Sequence, residues 1–377
     1  MKIGFVIYGS LDTLSGGYLY DRKLVEYLRN AGDEVEIISL PWRNYFAHLT
    51  DNFTFRLWNP TARRWKVQEH THSGHLAPAL QNYDILIQDE LNHPSLIGAN
   101  RGKHPYPIIS LVHHLRCSEL RPKWQNDFYR IIEKKYLRSV DGFIFNSQTT
   151  KGVVNGLMVN EKSFVIAYPP TDRFGEAISE SEIMERSKAE ELRILFLGNV
   201  MERKGLHTLL KAVTSDQLSV NSNQTIIKID VVGSLNVEPN YVKQMQEFVM
   251  VNGLSSMVTF HSSLDNEPLK QKLKHAHVLI VPSSYEGFGI VYLEGMGFGL
   301  PAIGTTAGAA SEVIEHEKTG FLIEPNDSQS LATYISKLVK DRSLLNQLSL
   351  NARKRYISQP KWEETAKSIR DFLLTFQ

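Results

Sequence analysis

Between Pro282 and Glu294 the chain reads Pro-Ser-Ser-Tyr-Glu-Gly-Phe-Gly-Ile-Val-Tyr-Leu-Glu, which sets two carboxylates eight residues apart with glycines between them. A buried-strand pattern ends at Pro282, and the residues after it predict a helix starting near Gly289. The amides of Gly289, Ile290 and Val291 would then be first-turn donors without an intrahelical acceptor, open to an anion. Glu286 lies in the loop before that helix. Glu294 lies about a turn and a half inside it, its side chain tilted back toward the N-terminus. Eight residues span at most ~12 Å of helix rise. One carboxylate can therefore reach a sugar on one side of a diphosphate while the other reaches a ribose on the opposite side, each accepting two hydrogen bonds from vicinal hydroxyls. Two carboxylates beside a diphosphate also require cations close by.

Cations are available at Arg203 and Lys204, inside the glycine-bounded run Gly198-Asn199-Val200-Met201-Glu202-Arg203-Lys204-Gly205. In a strand-to-helix loop they can neutralise a pyrophosphate; a solvated surface loop explains the pair as well. Two further places stand out. Ser15-Gly16-Gly17 follows the first strand pattern and leads into a helical one, so a phosphate can approach the backbone there, although the spacing is not a dinucleotide fingerprint. His113, followed by His114, ends the apolar run Ile108–Val112. That puts it at the carboxyl edge of a sheet, where open α/β sheets bind ligands; a hydrogen-bonded histidine capping the strand is the plainer alternative.

The elements that must position these residues are short apolar runs alternating with helical patterns. Strands are expected at Lys2–Tyr8, Glu34–Leu40, Asp84–Gln88, Pro107–His113, Gly142–Asn146 and Phe164–Tyr168. In the second half they are expected at Arg193–Gly198, Thr225–Gly233, Met257–His261, Val278–Pro282, Pro301–Gly304 and Gly320–Ile323. Several are continuous apolar runs, the mark of parallel strands buried on both faces. The fold class is α/β, with a doubly wound parallel sheet of six strands in each half. An N-terminal domain is expected over 1–172, a charged, Ser-rich connection with room for one short helix over 173–191 and a C-terminal domain over 192–359. An amphipathic segment over 360–377 carries Trp362, Ile369, Phe372, Leu373 and Phe376.

A chain of 377 residues with 42% hydrophobic and 22% charged residues suits two globular domains. Its 42 basic and 41 acidic side chains argue against a dedicated nucleic-acid binder. The single cysteine, Cys117, excludes an intramolecular disulfide and a cysteine-rich metal site and suits the cytoplasm. The sequence has no Asp-x-Asp triplet and no obvious His–Glu ligand set, so no metal is expected. Neither a signal peptide nor a membrane-spanning run is expected.

Taken together, Glu286 and Glu294, Glu286-Gly287-Phe288-Gly289, Leu293-Glu294-Gly295-Met296, Gly299-Leu300-Pro301, Gly308-Ala309, Glu312-Val313-Ile314 and Thr319-Gly320-Phe321-Leu322 resemble the family-four group of retaining glycosyltransferases. The N-terminal half resembles that family more loosely, through Gly16-Gly17, His113 and Asn146-Ser147. The resemblance implies a GT-B fold, two Rossmann-like domains facing across a cleft, with the last helix returning to the first domain. The donor is then a nucleotide-diphosphate sugar bound as substrate, with no cofactor, and the acceptor is a glycan or lipid-linked hydroxyl. The resemblance assigns Glu294 to the ribose hydroxyls, Glu286 to the sugar hydroxyls, Lys204 to the phosphates, His113 to the reacting sugar and Gly17 to the phosphate-side loop. Many members carry arginine where this chain has Asn199, and Arg203 is expected to supply that charge. Two alternatives remain: a nucleotide-sugar epimerase of the same fold, and a non-catalytic nucleotide-sugar-binding partner of a transferase.

The segment Pro41–Lys66 holds five basic side chains against the single acid Asp51, together with Trp42, Trp58 and Trp65. Basic and aromatic residues together suit an anionic lipid surface or an acidic glycan carrier, and peripheral association with the inner face of the membrane is one expectation. The other is an insertion folded over the acceptor side, its aromatics forming local core. Overall neutrality argues against nucleic acid as the partner.

Overall fold

The computed structural model describes residues 1–13, 15–57, 66–67, 83–170, 172–215 and 226–377. The chain divides into two compact units, Met1–Pro169 with Pro360–Gln377, and Pro170–Gln359. Each is built on one sheet, parallel apart from a single edge strand in the first.

The first sheet contains β1 (Lys2–Tyr8), β2 (Glu34–Leu40), β3 (Lys66–Val67), β4 (Ile85–Asp89), β5 (Ile108–Val112), β6 (Gly142–Phe145) and β7 (Ser163–Ile166), in the order β3-β2-β1-β4-β5-β6-β7. All neighbours are parallel except β3, which pairs antiparallel with β2 at the edge. The six expected strands are present, and β3 is a two-residue addition that shows no strand pattern in sequence. The central strands are buried on both faces, which is why they read as unbroken apolar runs. Val6, Tyr8, Ile108 and Val112 face one core, shared with Tyr136 and Leu137. Ile3, Phe5, Ile7, Ile109 and Leu111 face the other, shared with Leu24 and Leu28 of helix Gly16–Asn30 and with Ala366, Ile369 and Leu373 of helix Trp362–Leu374. Each such leucine or isoleucine contributes about 1.5–3 kcal/mol by leaving water. The last helix is further tied to this unit by Arg370, whose Nε donates to Asp33 at 2.7 Å, and by Thr365, whose hydroxyl donates to the Tyr168 carbonyl at 2.9 Å.

The second sheet contains β8 (Leu192–Leu197), β9 (Ile227–Val232), β10 (Val258–His261), β11 (Val278–Ile280), β12 (Ala302–Thr305) and β13 (Gly320–Ile323), in the order β10-β9-β8-β11-β12-β13. All are parallel. The stretch read as a connection is folded into this unit. Helix Glu180–Arg186 is closed by a capping box at Ser179 and Glu182, buries Ile183, and points the Arg186 guanidinium at the carbonyls of Phe298 and Gly299. This is the one short helix that the sequence allows in the stretch.

In both sheets the strand order reverses direction once near the centre, between β1 and β4 and between β8 and β11. Open α/β sheets bind ligands outside the carboxyl ends of the strands at that point.

Candidate active site

In the second unit, the loops after β8 and β11 flank the reversal and carry the sequence-expected residues. After β8 the chain makes a single turn, Glu202–Lys204, and enters helix Leu206–Val213 through Gly205 at φ 74°. A Cβ there would stand 2.1 Å from the Pro282 carbonyl oxygen, so only glycine lets the two loops close. That closure brings Lys204 to Glu286: Nζ lies 2.5 Å from Oε1, with both side chains nearly buried. The Ser283 hydroxyl donates to the same oxygen at 2.6 Å. Burial alone would raise the Glu286 carboxyl, but Lys204 and Arg203 hold it below its ordinary value. Burial lowers the Lys204 ammonium against the attraction of Glu286.

Glu286 is pinned from a second side. Its carbonyl accepts from the Ala309 amide at 2.8 Å, and Gly308, at φ 78°, passes so close that a Cβ would stand 2.1 Å from the same oxygen. The Gly308-Ala309 motif, distant in sequence, is thus the backbone support of Glu286. Arg203, the cation expected to supply the charge missing at Asn199, donates from Nη1 to the Tyr285 carbonyl at 2.8 Å and braces the loop.

Helix Ile290–Gly297 begins directly after Gly289, as the pattern predicts. The amides of Gly289, Ile290 and Val291 stand at the turn that opens it, with no carbonyl of a preceding turn to receive them. Glu294 is buried in its middle and accepts from Arg173 Nη1 at 2.7 Å. Burial raises the Glu294 carboxyl and Arg173 opposes that rise. Arg173 also reaches Asn266 Oδ1 at 3.1 Å. No local pattern pointed to Arg173, which lies far from Glu294 in the chain.

In the first unit, His113 directly follows β5 and lies at the carboxyl edge. Helix Gly16–Asn30 starts beside it, capped by the Ser15 hydroxyl, with Gly16 exposed and Gly17 half-buried at its first turn. A Cβ on Gly17 would lie 3.4 Å from the His113 ring, so the glycine loop and the histidine are neighbours. One turn further, Asp21 is buried and its Oδ1 stands 3.0 Å from His113 Nε2, while its Oδ2 meets no hydrogen-bond partner among the described residues. Burial opposes charge on the imidazole, but Asp21, then Asp89 and Glu90, outweigh it and bring His113 up to about 9. Asp89 ends β4 and is itself pushed up by burial and by Asp21. The Asn146 amide donates to the His113 carbonyl at 2.8 Å, which gives the Asn146-Ser147 resemblance a structural role. Asp21 and Asp89 were missed in sequence, although Asp21 stands four residues after Gly17 and Asp89 closes an apolar run.

Among the described residues two groups of side chains stand close enough to share an ion, Asp21 with Asp89 and His113, and Glu90 with His93 and Glu133. Tertiary contact assembles the second group from separate elements, which sequence spacing did not make obvious. In the second group Glu90 Oε1 meets no hydrogen-bond partner among the described residues. Glu133 accepts from the Arg116 amide at 2.6 Å, and His93 lies between Glu90 and the Tyr45 hydroxyl. Burial raises the Glu90 carboxyl to about 8 and the Glu133 carboxyl to about 7.

The segment Pro41–Lys66 divides. Residues 58–65, with Trp58, Trp65, Arg63 and Arg64, lie outside the described residues, as does the Arg56 side chain. The rest begins helix Tyr45–Leu57, with Arg43 paired to Asp51, Tyr45 inside an aromatic cluster with Phe128 and Tyr129, and Trp42 and Phe46 exposed. Among the described residues no helix is long and apolar enough to cross a membrane.

Comparison with known proteins places these features in a family context. Residues 179–355 match the model "Glycosyl transferases group 1" and residues 20–173 match "Glycosyltransferase Family 4". An uncharacterized glycosyltransferase of Methanocaldococcus jannaschii is 23% identical over 97% of this chain and 96% of its own length. A GDP-mannose-dependent phosphatidylinositol monomannoside mannosyltransferase of Mycobacterium tuberculosis is 26% identical over 54% of this chain and 53% of its own. Among solved structures, sucrose-phosphate synthase from Thermosynechococcus elongatus superposes with a TM-score of 0.77 at 19% identity, over 99% of this chain and 98% of that one. Anabaena HepE in complex with UDP-glucose does so at 0.71 and 18%, over the whole of both.

Proposed function

Because the chain belongs to the family-four group of glycosyltransferases, we propose that it moves a sugar, with retention, from a nucleotide-diphosphate sugar to a glycan or glycolipid hydroxyl without a metal ion. The observation that carries this reading is the arrangement around Gly289. Glu286 is held ionised by Lys204 and Arg203 on one side of the helix entrance, and Glu294 is buried below it in contact with Arg173. In this reading Glu294 accepts hydrogen bonds from the ribose hydroxyls, and Glu286 accepts them from the sugar. The amides of Gly289, Ile290 and Val291, together with Lys204, bind the diphosphate. These donors stabilise the charge that grows on the leaving phosphate as its bond to the anomeric carbon breaks.

The acceptor oxygen attacks that carbon from the side the phosphate leaves, and its proton passes to the departing phosphate oxygen. In the first unit, His113, positively charged at neutral pH through Asp21, is a hydrogen-bond donor with Gly16 and Gly17 beside it. A binding partner without catalysis and an epimerase are the competing readings, and neither accounts for membership in a transferase family. Titration calorimetry with UDP- and GDP-sugars, followed by donor hydrolysis with and without acceptor glycans, tests the proposal. Donor binding with slow hydrolysis that an acceptor accelerates is expected. Isomerisation of the donor alone, or binding with no turnover under any acceptor, would overturn it.

A further inference from the structure

Helix Lys123–Leu137 in the first unit is amphipathic in an unusual sense. Its inward side buries Glu133, Tyr136 and Leu137. Its outward side carries Trp124, Phe128 and Ile131, spaced four and then three residues apart and therefore aligned on one face. Trp124 is 71% exposed and Ile131 56%. Surface helices of globular proteins ordinarily turn polar residues outward. The stripe does not stop at the helix. Phe46, 68% exposed on helix Tyr45–Leu57, places its ring 6.0 Å from that of Phe128, and Leu120 is 57% exposed just before the helix begins. A contiguous exposed apolar surface of this kind marks an interaction site.

The charges around the stripe identify the partner. Lys123, Arg130, Lys135 and Arg138 are exposed along the helix and its end. The acid on the same exposed side, Asp127, is bridged by Lys123 at 2.6 Å and Arg130 at 2.8 Å, and Glu133 is turned into the core. Apolar side chains flanked by Lys and Arg fit the boundary between acyl chains and anionic headgroups. A second copy of the chain docking through the same face would set these cations against their own counterparts.

We propose that helix Lys123–Leu137, extended by Phe46 and Leu120, is the face by which this chain rests on an anionic lipid bilayer. This places the contact on a different element from Pro41–Lys66, of which only Phe46 takes part. The helix starts ten residues after His113, so its first turn lies at the same carboxyl edge of the sheet. If the proposed function holds, a lipid-linked acceptor would arrive on that side.

The test uses the full chain and vesicles of phosphatidylcholine with phosphatidylglycerol, compared with phosphatidylcholine alone, and needs neither donor nor acceptor. The wild type is expected to sediment with the anionic vesicles and to detach as salt rises. Trp124→Ser with Ile131→Ser should lower the partition constant about tenfold or more. Lys135→Ser and Arg138→Ser should each lower it about fivefold. Melting temperature should be unchanged, because the replaced side chains are exposed. Phe46→Ser, on the other helix, gives an independent variant should the double change disturb folding. Absence of vesicle binding in the wild type, or equal binding by all variants, would overturn the proposal. So would a self-associated wild type that becomes monomeric when Trp124 and Ile131 are replaced, since the face would then belong to a protein contact.

Discussion

His113 Nε2 stands 3.0 Å from Oδ1 of Asp21, a buried carboxylate one helical turn beyond Gly17. The folded state therefore holds the His113 proton more tightly than the unfolded chain does. The stabilisation this gives is complete below the ordinary histidine value of roughly 6.5 and is lost as pH rises toward about 9. Unfolding free energy, followed by denaturant titration, should fall across that interval. In Asp21→Asn the decline should flatten, and an NMR titration should show the His113 value drop. An unchanged imidazole titration would remove Asp21 from this role.

Lys204 and Glu286 form a nearly buried ion pair, so removing one partner strands the other. Lys204→Met should lower stability by about 3–5 kcal/mol. The double variant Lys204→Met with Glu286→Gln should recover much of that loss. Donor binding should stay poor in both. Thermal melts beside calorimetry separate the two effects, and a double variant that binds donor normally would exclude the pair from the site.

Glu294 should behave differently. Glu294→Gln is expected to weaken nucleotide-sugar binding by about 1.5–3 kcal/mol. Arg173→Ala removes the cation that opposes the burial-driven rise of the Glu294 carboxyl. Protonation of Glu294 then begins at higher pH. As pH is lowered, donor affinity of this variant should begin to fall at a higher pH than that of the wild type. A flat profile in Arg173→Ala would contradict the linkage.

Gly308→Ala tests the backbone support of Glu286. It places a side chain at positive φ, which costs about 1–3 kcal/mol, and drives its Cβ against the Glu286 carbonyl. Stability and donor binding should fall together, whereas Gly295→Ala, whose Cβ would stand 3.0 Å from the movable Leu279 side chain, should be tolerated.

Transfer activity should persist in excess EDTA. Loss on chelation with recovery in magnesium or manganese would show that a cation is needed, and the cluster of Asp21, Asp89 and His113 would be the first place to look for it.

The sequence alone determined the strand succession, the two parallel sheets and the donor-side motif. Those features are local: unbroken apolar runs mark doubly buried strands, and Glu286, Gly289 and Glu294 lie within one loop and its helix. The partners of these residues were decided only by tertiary structure. Lys204 meets Glu286 because Gly205 lets two distant loops touch, and Gly308 supports Glu286 through a backbone approach with no signature in spacing. Arg173 reaches Glu294 from far along the chain, Arg203 spends its charge on a carbonyl of the loop, and Asp21 finds His113 from another element. The outward face of Trp124, Phe128 and Ile131 was likewise invisible, because periodicity marks an apolar stripe without saying whether it faces the core or the solvent. Side-chain chemistry is written in residue type, but the field each group feels depends on what packs against it, and that is settled when separate strands and loops converge at the carboxyl edge of a sheet.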